Sequence, residues 1–200
     1  MFAKVGHLSG AGMRRAVFLD RDGTVCEEVG YLDQSSRLQV YPWAAQAISK
    51  LNGVGLCTVL VTNQSGVARG YFPEDRVLET HERLRSELAR GGAYLNAIYY
   101  CPHHPDGTVP IYSRNCDCRK PGLGMIERAA AEYDLDLAAS FVVGDKFVDL
   151  ETAFRACARA VLVLSGLGRE TYEGRANWSS QPDYIAIDLS EAVDWILTQI

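Results

Sequence analysis

Five short apolar runs recur along the chain, and each breaks off at a polar or glycine-rich turn: AVFL at 16–19, LCTVLV at 56–61, AIYY at 97–100, SFVVG at 140–144 and AVLVL at 160–164. Their apolar character is nearly continuous rather than alternating, the pattern of strands buried on both faces. Helical patterns stand between them. WAAQAISKLNGVG (43–55) ends in glycines that suit a helix stop, and PEDRVLETHERLRSELARGG (73–92) opens with Pro and closes with Gly-Gly. PGLGMIERAAAEYDL (121–135) and LETAFRACA (150–158) continue the alternation. Repeated strand–helix alternation implies a parallel sheet with helices on both faces, an α/β fold. The segment 165–182 reads as a long surface loop before a final short strand and helix.

Two hundred residues suit one domain with a sizeable core. The stretch MFAKVGHLSGAGMRR lacks the continuous apolar core of a signal peptide, and no later run is long enough to span a bilayer. The expectation is a cytoplasmic protein with a loose tail over 1–14 and a single domain over 15–200. A net charge of −5 argues against an extended nucleic-acid surface.

In a parallel sheet the polar turns after the strands gather on one rim, where ligands bind. The first strand is followed by Asp20 and Asp22, with Arg21 between them. The second is followed by Thr62-Asn63-Gln64-Ser65, and the fourth by Asp145, Lys146 and Asp149. Arg119 and Lys120 stand just before Pro121 and the next helix. Carboxylate oxygens with room for water suit Mg²⁺, while arginine, lysine and backbone N–H groups suit a phosphate. A calcium loop is the rival for D-x-D-G, but position twelve counted from Asp20 is Tyr31 rather than Glu, and a strand precedes the motif. Simple turn capping by Asp20 and Asp22 would account for the motif alone, though not for the three further clusters.

Three of the six cysteines lie close together, as Cys101-x-His103 and Cys116-x-Cys118 with His104 alongside. Thiolate and imidazole in a three-to-one set suit tetrahedral Zn²⁺, and a full protein shell makes such a site structural. The spacing departs from the commoner C-x-x-C knuckle, so on pattern alone zinc and free reduced cysteines both stand. Cys57 and Cys157 read as small core residues.

The hydrophobic strand running into D-x-D-G-T (Asp20 to Thr24), the strand running into Thr62, the lysine at 120 and G-D-x-x-x-D (Gly144 to Asp149) resemble the haloacid dehalogenase-like phosphohydrolases over about residues 15–160. FLDRDGT, TNQSGVARG, YYCPHHPDG, CDCRKPGLGM and VGDK together look like the D-glycero-D-manno-heptose 1,7-bisphosphate 7-phosphatases of bacterial cell-surface sugar synthesis. Histidinol-phosphate phosphatases share part of the set and are the runner-up. The resemblance implies a three-layer Rossmann-like parallel sheet without a large cap domain. It also implies a monomeric Mg²⁺-dependent enzyme acting on a small-molecule sugar phosphate.

By the same resemblance Asp20 would be the nucleophile that forms an aspartyl-phosphate, and Asp22 the general acid and then base. Mg²⁺ would be held by Asp20, the carbonyl of Asp22 and Asp145. Thr62 and Lys120 would donate to the phosphoryl group, and Arg119 and Lys146 would recognise the substrate. Glu28, Val29, Gly30 and Tyr31, with Asn63, Gln64 and Ser65, match the remaining substrate-contacting stretches. Asp149 reads rather as a helix cap or a supporting acceptor. The family's zinc loop matches 101–118, with the C-P-H phase favouring His103 over His104; the metal would brace the loop that carries Arg119 and Lys120. Cys26 departs from the small polar residue that relatives carry, which bears on the entrance to the site. The competing class is a non-catalytic, zinc-braced binding module, against which stands the complete set of reactive groups.

Overall fold

The structure, a computed structural model, describes residues 13–178 and 180–200. Six strands form one wholly parallel sheet: β1 (Ala16–Leu19), β2 (Cys57–Asn63), β3 (Ala97–Cys101), β4 (Phe141–Gly144), β5 (Arg159–Val163) and β6 (Tyr184–Ala186), in the order β3-β2-β1-β4-β5-β6. The helices are α1 (Ala44–Gly53), α2 (Glu74–Arg90), α3 (Gly124–Tyr133), α4 (Phe147–Arg155), α5 (Gly168–Glu173) and α6 (Leu189–Leu197).

The continuous apolar runs make sense because both faces of the sheet are covered. In β1 every side chain is fully buried, Val17 and Leu19 into one core and Ala16 and Phe18 into the other. That is the period of two expected of a strand, with helices on either side. The first core takes Ala44, Ala47, Ile48 and Leu51 of α1, Leu84 and Leu88 of α2, and Leu189, Ala192, Val193 and Ile196 of α6. The second takes Met125, Ile126 and Ala129 of α3 and Leu150 and Ala153 of α4. Burying each large aliphatic side chain contributes about 1.5–3 kcal/mol, so the three layers hold each other.

Register fixes the rim. Leu19 stands level with Leu60 of β2 on one side and Val143 of β4 on the other. The chain leaves β1 for β2 in one direction and reaches β4 on the opposite side, so the residues after β1 occupy the point where the connections diverge. Among the described residues no second domain covers this edge, and no helix is long and apolar enough to cross a membrane.

Several boundaries differ from the spacing-based expectation. The second strand runs on through Thr62 and Asn63, because Asn63 pairs in register with Cys101. The helix expected from 121 begins at Gly124, whose N–H is tied to the Asp117 carbonyl at 2.8 Å. The segment 165–182 is not a plain loop: it holds α5 and a 3-10 turn at Gly174–Asn177. Of the expected loose tail, residues 1–12 lie outside the described residues. Arg14 is fixed, its N–H on the Asp134 carbonyl and its carbonyl on the Asp136 N–H, each at 2.8 Å.

Candidate functional site

The turns after β1, β2 and β4 and the residues before α3 meet in one cleft of about 520 Å³. Asp20, Asp22, Glu28, Gly30, Tyr31, Thr62, Asn63, Gln64, Ser65, Arg119, Lys120 and Lys146 all line it, together with Asp149. Val29 departs from expectation: its side chain packs against the core instead. Asp145 lies beneath the cleft, fully buried.

Lys120 ties the floor together. Its ammonium, 4% exposed as a residue, donates to Asp20 Oδ1 at 2.7 Å, Asp149 Oδ1 at 2.6 Å and the Val61 carbonyl at 2.9 Å. Burial works against its charge, yet the Asp149 and Asp20 carboxylates outweigh that and hold it above the ordinary lysine range. Asp149 also accepts from the Lys146 N–H through Oδ2 at 3.1 Å, so it caps α4 while gripping Lys120. The Lys120 backbone is held by a single side chain: Asn63 accepts its N–H at 3.0 Å and donates to its carbonyl at 3.1 Å. Lys146 pairs with Glu28 across the mouth of the cleft.

One carboxylate oxygen each from Asp20, Asp145 and Asp149 can be placed within 4.8 Å of one another. Asp145 Oδ2 accepts the Leu167 N–H at 2.9 Å, while its buried Oδ1 has no hydrogen-bond partner among the described residues. Burial, and then the charge of Asp20, push the Asp145 carboxyl up to about 8. A divalent cation would supply both the missing charge and the missing partner, so the donor set fits Mg²⁺. The chain is shaped around this carboxylate. A Cβ at Gly23 (φ +83°) would lie 2.0 Å from Asp145 Oδ2, and one at Gly166 (φ +55°) 2.4 Å from the same atom. Both positions need glycine for space as well as for their left-handed backbone.

Asp22 is clamped. Arg21 Nε donates to its Oδ1 at 3.0 Å and Nη2 to its Oδ2 at 2.9 Å; Gln64 Nε2 adds a bond to Oδ2 at 3.0 Å. Cys26 does not shape the entrance: it is fully buried under Asp22, with Sγ 3.7 Å from Oδ1. Burial and then Asp22 push its thiol well above the usual range, so it stays an S–H donor. Arg21 Nη1 points at His81 Nε2 at 3.5 Å. Arginine has no acceptor, so Nε2 must carry the lone pair. Burial, with Arg21 and then Arg85 adding to it, lowers His81 to about 3 and keeps it neutral.

Beside the cleft, Cys101, His103, Cys116 and Cys118 converge. The sulfurs are 3.2, 3.3 and 3.5 Å apart, and His103 Nδ1 is 3.4 Å from Cys118 Sγ. A tetrahedral zinc–thiolate site has an S–S edge of about 3.8 Å, so the four donors enclose a centre of nearly the right size. His104 turns away, its Nδ1 on the Asp106 N–H at 3.1 Å and its Nε2 beside Arg69 at 3.1 Å. The zinc-type cluster and the cleft share one segment, since Arg119 and Lys120 follow Cys118 directly and Arg119 Nη1 donates to the His103 carbonyl at 3.3 Å.

The sequence assigned no role to Arg21 or His81. The one signal available was an arginine among buried strand-end positions, which has to find buried partners.

Residues 117–192 match the family model described as "HAD-hyrolase-like". A D-glycero-D-manno-heptose-1,7-bisphosphate 7-phosphatase of Thermosynechococcus vestitus is 46% identical over 191 residues, covering 94% of this chain and 97% of the relative. The D-glycero-beta-D-manno-heptose-1,7-bisphosphate 7-phosphatase of Yersinia pestis is 41% identical, covering 92% of this chain and 90% of that one. The solved structure of D,D-heptose 1,7-bisphosphate phosphatase from B. bronchiseptica, complexed with magnesium and phosphate, superposes with a TM-score of 0.82 at 34% identity, covering 93% of this chain and 99% of that one. With identity of this order along nearly the whole chain, and the same fold, the chain belongs to the D-glycero-D-manno-heptose-1,7-bisphosphate 7-phosphatase family of HAD-like proteins.

Proposed function

We propose that the chain is a Mg²⁺-dependent phosphomonoester hydrolase that removes the 7-phosphate of D-glycero-D-manno-heptose 1,7-bisphosphate through an aspartyl-phosphate on Asp20. The observation that carries this reading is the floor of the cleft. Asp20, at the end of the central strand, has one oxygen held by Lys120 and its other oxygen left to attack. Lys120 fixes the carboxylate and then faces the oxygens of the phosphoryl group it receives. Thr62 adds a hydroxyl donor from the end of β2.

In the first half-reaction an Asp20 oxygen bonds to phosphorus as the phosphorus–oxygen bond to the sugar breaks, and Asp22 gives its proton to the departing oxygen. In the second, the Asp22 carboxylate takes a proton from a water that attacks the aspartyl-phosphate; phosphate leaves and Asp20 is restored. Asp20, the Asp22 carbonyl and Asp145 would hold Mg²⁺, which would neutralise the carboxylates and the charge on the phosphoryl oxygens. The zinc cluster has a structural role. Zinc held by Cys101, His103, Cys116 and Cys118 would brace 101–118 so that Arg119 and Lys120 enter the cleft at a fixed height.

Arg119, on the cleft wall, is the proposed partner of the distal phosphate. Lys146 serves less directly, because Glu28 already neutralises it. The enzyme is taken to work as a monomer in the cytoplasm on a small-molecule sugar phosphate.

The test compares kcat/KM for both anomers of the heptose bisphosphate, histidinol phosphate and fructose 1,6-bisphosphate, with Mg²⁺ present. A heptose value above the others supports the substrate, and a value no higher removes it. Asp20→Asn should abolish turnover with the fold intact; substantial remaining activity would exclude the aspartyl-phosphate.

A further inference from the structure

Among the described residues Arg21 heads the largest fully buried side chains, and the proposed reaction gives it no part. A guanidinium in such a place needs partners for its fork, and it finds three. Its Nε and Nη2 lie along the two oxygens of Asp22, at 3.0 and 2.9 Å. Nη2 also donates to Gln64 Oε1 at 3.0 Å, and Nη1 approaches the neutral His81. Gln64, 5% exposed, completes the arrangement. Its amide nitrogen donates to Asp22 Oδ2 at 3.0 Å and to Thr62 Oγ1 at 2.9 Å. Since the Thr62 oxygen accepts from Gln64, its own hydrogen is free for the cleft that Thr62 lines.

Both residues therefore spend their polar atoms on protein groups. An aspartate side chain alone has two free torsions, and proton delivery to a departing oxygen tolerates little angular error. A planar fork on both carboxylate oxygens removes that freedom in a way that a point charge cannot.

We infer that Arg21 and Gln64 are positioning residues: Arg21 sets the plane of the Asp22 carboxylate, and Gln64 locks that carboxylate to the Thr62 hydroxyl. The inference rests on the reading of Asp22 as proton donor. It assigns Gln64 to the assembly of the site and not to direct contact with the sugar.

The test uses two esters with opposite needs. A heptose phosphate leaves as an alkoxide that must be protonated, whereas 4-nitrophenyl phosphate leaves as a stable phenolate. Leaving-group release is followed in a single turnover for the wild-type protein and for Asp22→Asn, Arg21→Lys and Gln64→Met. Asp22→Asn should slow the sugar ester by about 10²–10⁴-fold and the aryl ester far less. Arg21→Lys, which keeps the charge but loses the fork, should slow the sugar ester by about 100-fold, with KM and aryl release changed less than about threefold. Gln64→Met, which also frees the Thr62 hydroxyl that both esters use, should slow the sugar ester about tenfold more than the aryl ester. If Asp22→Asn shows the difference and the other two slow both esters equally, the inference is overturned and the reading of Asp22 stands. If Asp22→Asn shows no difference, that reading falls and takes the inference with it. Should Arg21→Lys fail to give folded protein by circular dichroism, Gln64→Met, which removes no charge, decides.

Discussion

Lowering the pH from 7 to 5 should weaken the fold by about 2 kcal/mol through His81 alone. His81 lies on the buried stripe of α2 with Val77, Leu84 and Leu88, and is 4% exposed. Burial, with Arg21 and then Arg85 beside it, lowers it from 6.5 to about 3. Above pH 6.5 the folded and unfolded chains both hold it neutral, and it adds no pH dependence. As the pH falls through that value the unfolded chain takes up a proton that the folded chain refuses. The stability lost grows by about 1.4 kcal/mol per pH unit and levels off once the folded histidine also protonates. From pH 7 to pH 5 this amounts to about 2 kcal/mol. His81→Gln keeps an acceptor for Arg21 and cannot titrate. Urea unfolding of both proteins at the two pH values isolates the histidine, because every other titrating group is shared. The wild-type protein should lose about 2 kcal/mol more than the variant between the two conditions. Equal losses would show that His81 is not held neutral by burial beside Arg21.

Asn63→Ala removes both bonds to the Lys120 backbone, and should cost about 1–3 kcal/mol in a urea titration. It should also lower kcat more than it raises KM, because Lys120 loses its height in the cleft; a change confined to KM would make Asn63 a substrate contact. Chelation of zinc should raise amide hydrogen exchange over 101–120 and reduce activity, while β1, β2 and β4 stay protected. Exchange unchanged over that loop, or metal analysis finding no zinc, would remove the structural role given to the four ligands.

The strands were legible because sheets covered on both faces demand unbroken apolar runs, and the rim was legible because parallel strands end together. Asp20, Thr62, Lys120 and Asp145 come from four separate stretches, yet each stands at the end of a strand, just after one or just before a helix, so their convergence followed from topology. Partners across the fold were not legible in the same way. Arg21 meets Gln64 and His81, which are 43 and 60 residues away, and no local pattern records such pairings. His81 looks like a polar residue in a helix until its place on the apolar stripe is known. The extension of β2 to Asn63 was hidden because its last two residues are polar, and their reason for being strand is the ladder to Tyr100 and Cys101. The six-residue α5 in 165–182 is too short to show a periodic stripe.

The most direct measurement is phosphorus NMR of D-glycero-D-manno-heptose 1,7-bisphosphate incubated with the purified, Mg²⁺-supplied protein. The expected result is loss of the 7-phosphate resonance with the matching rise of inorganic phosphate, the 1-phosphate persisting, and no change with Asp20→Asn. Release of the 1-phosphate first, or no release at all, would contradict the proposed reaction.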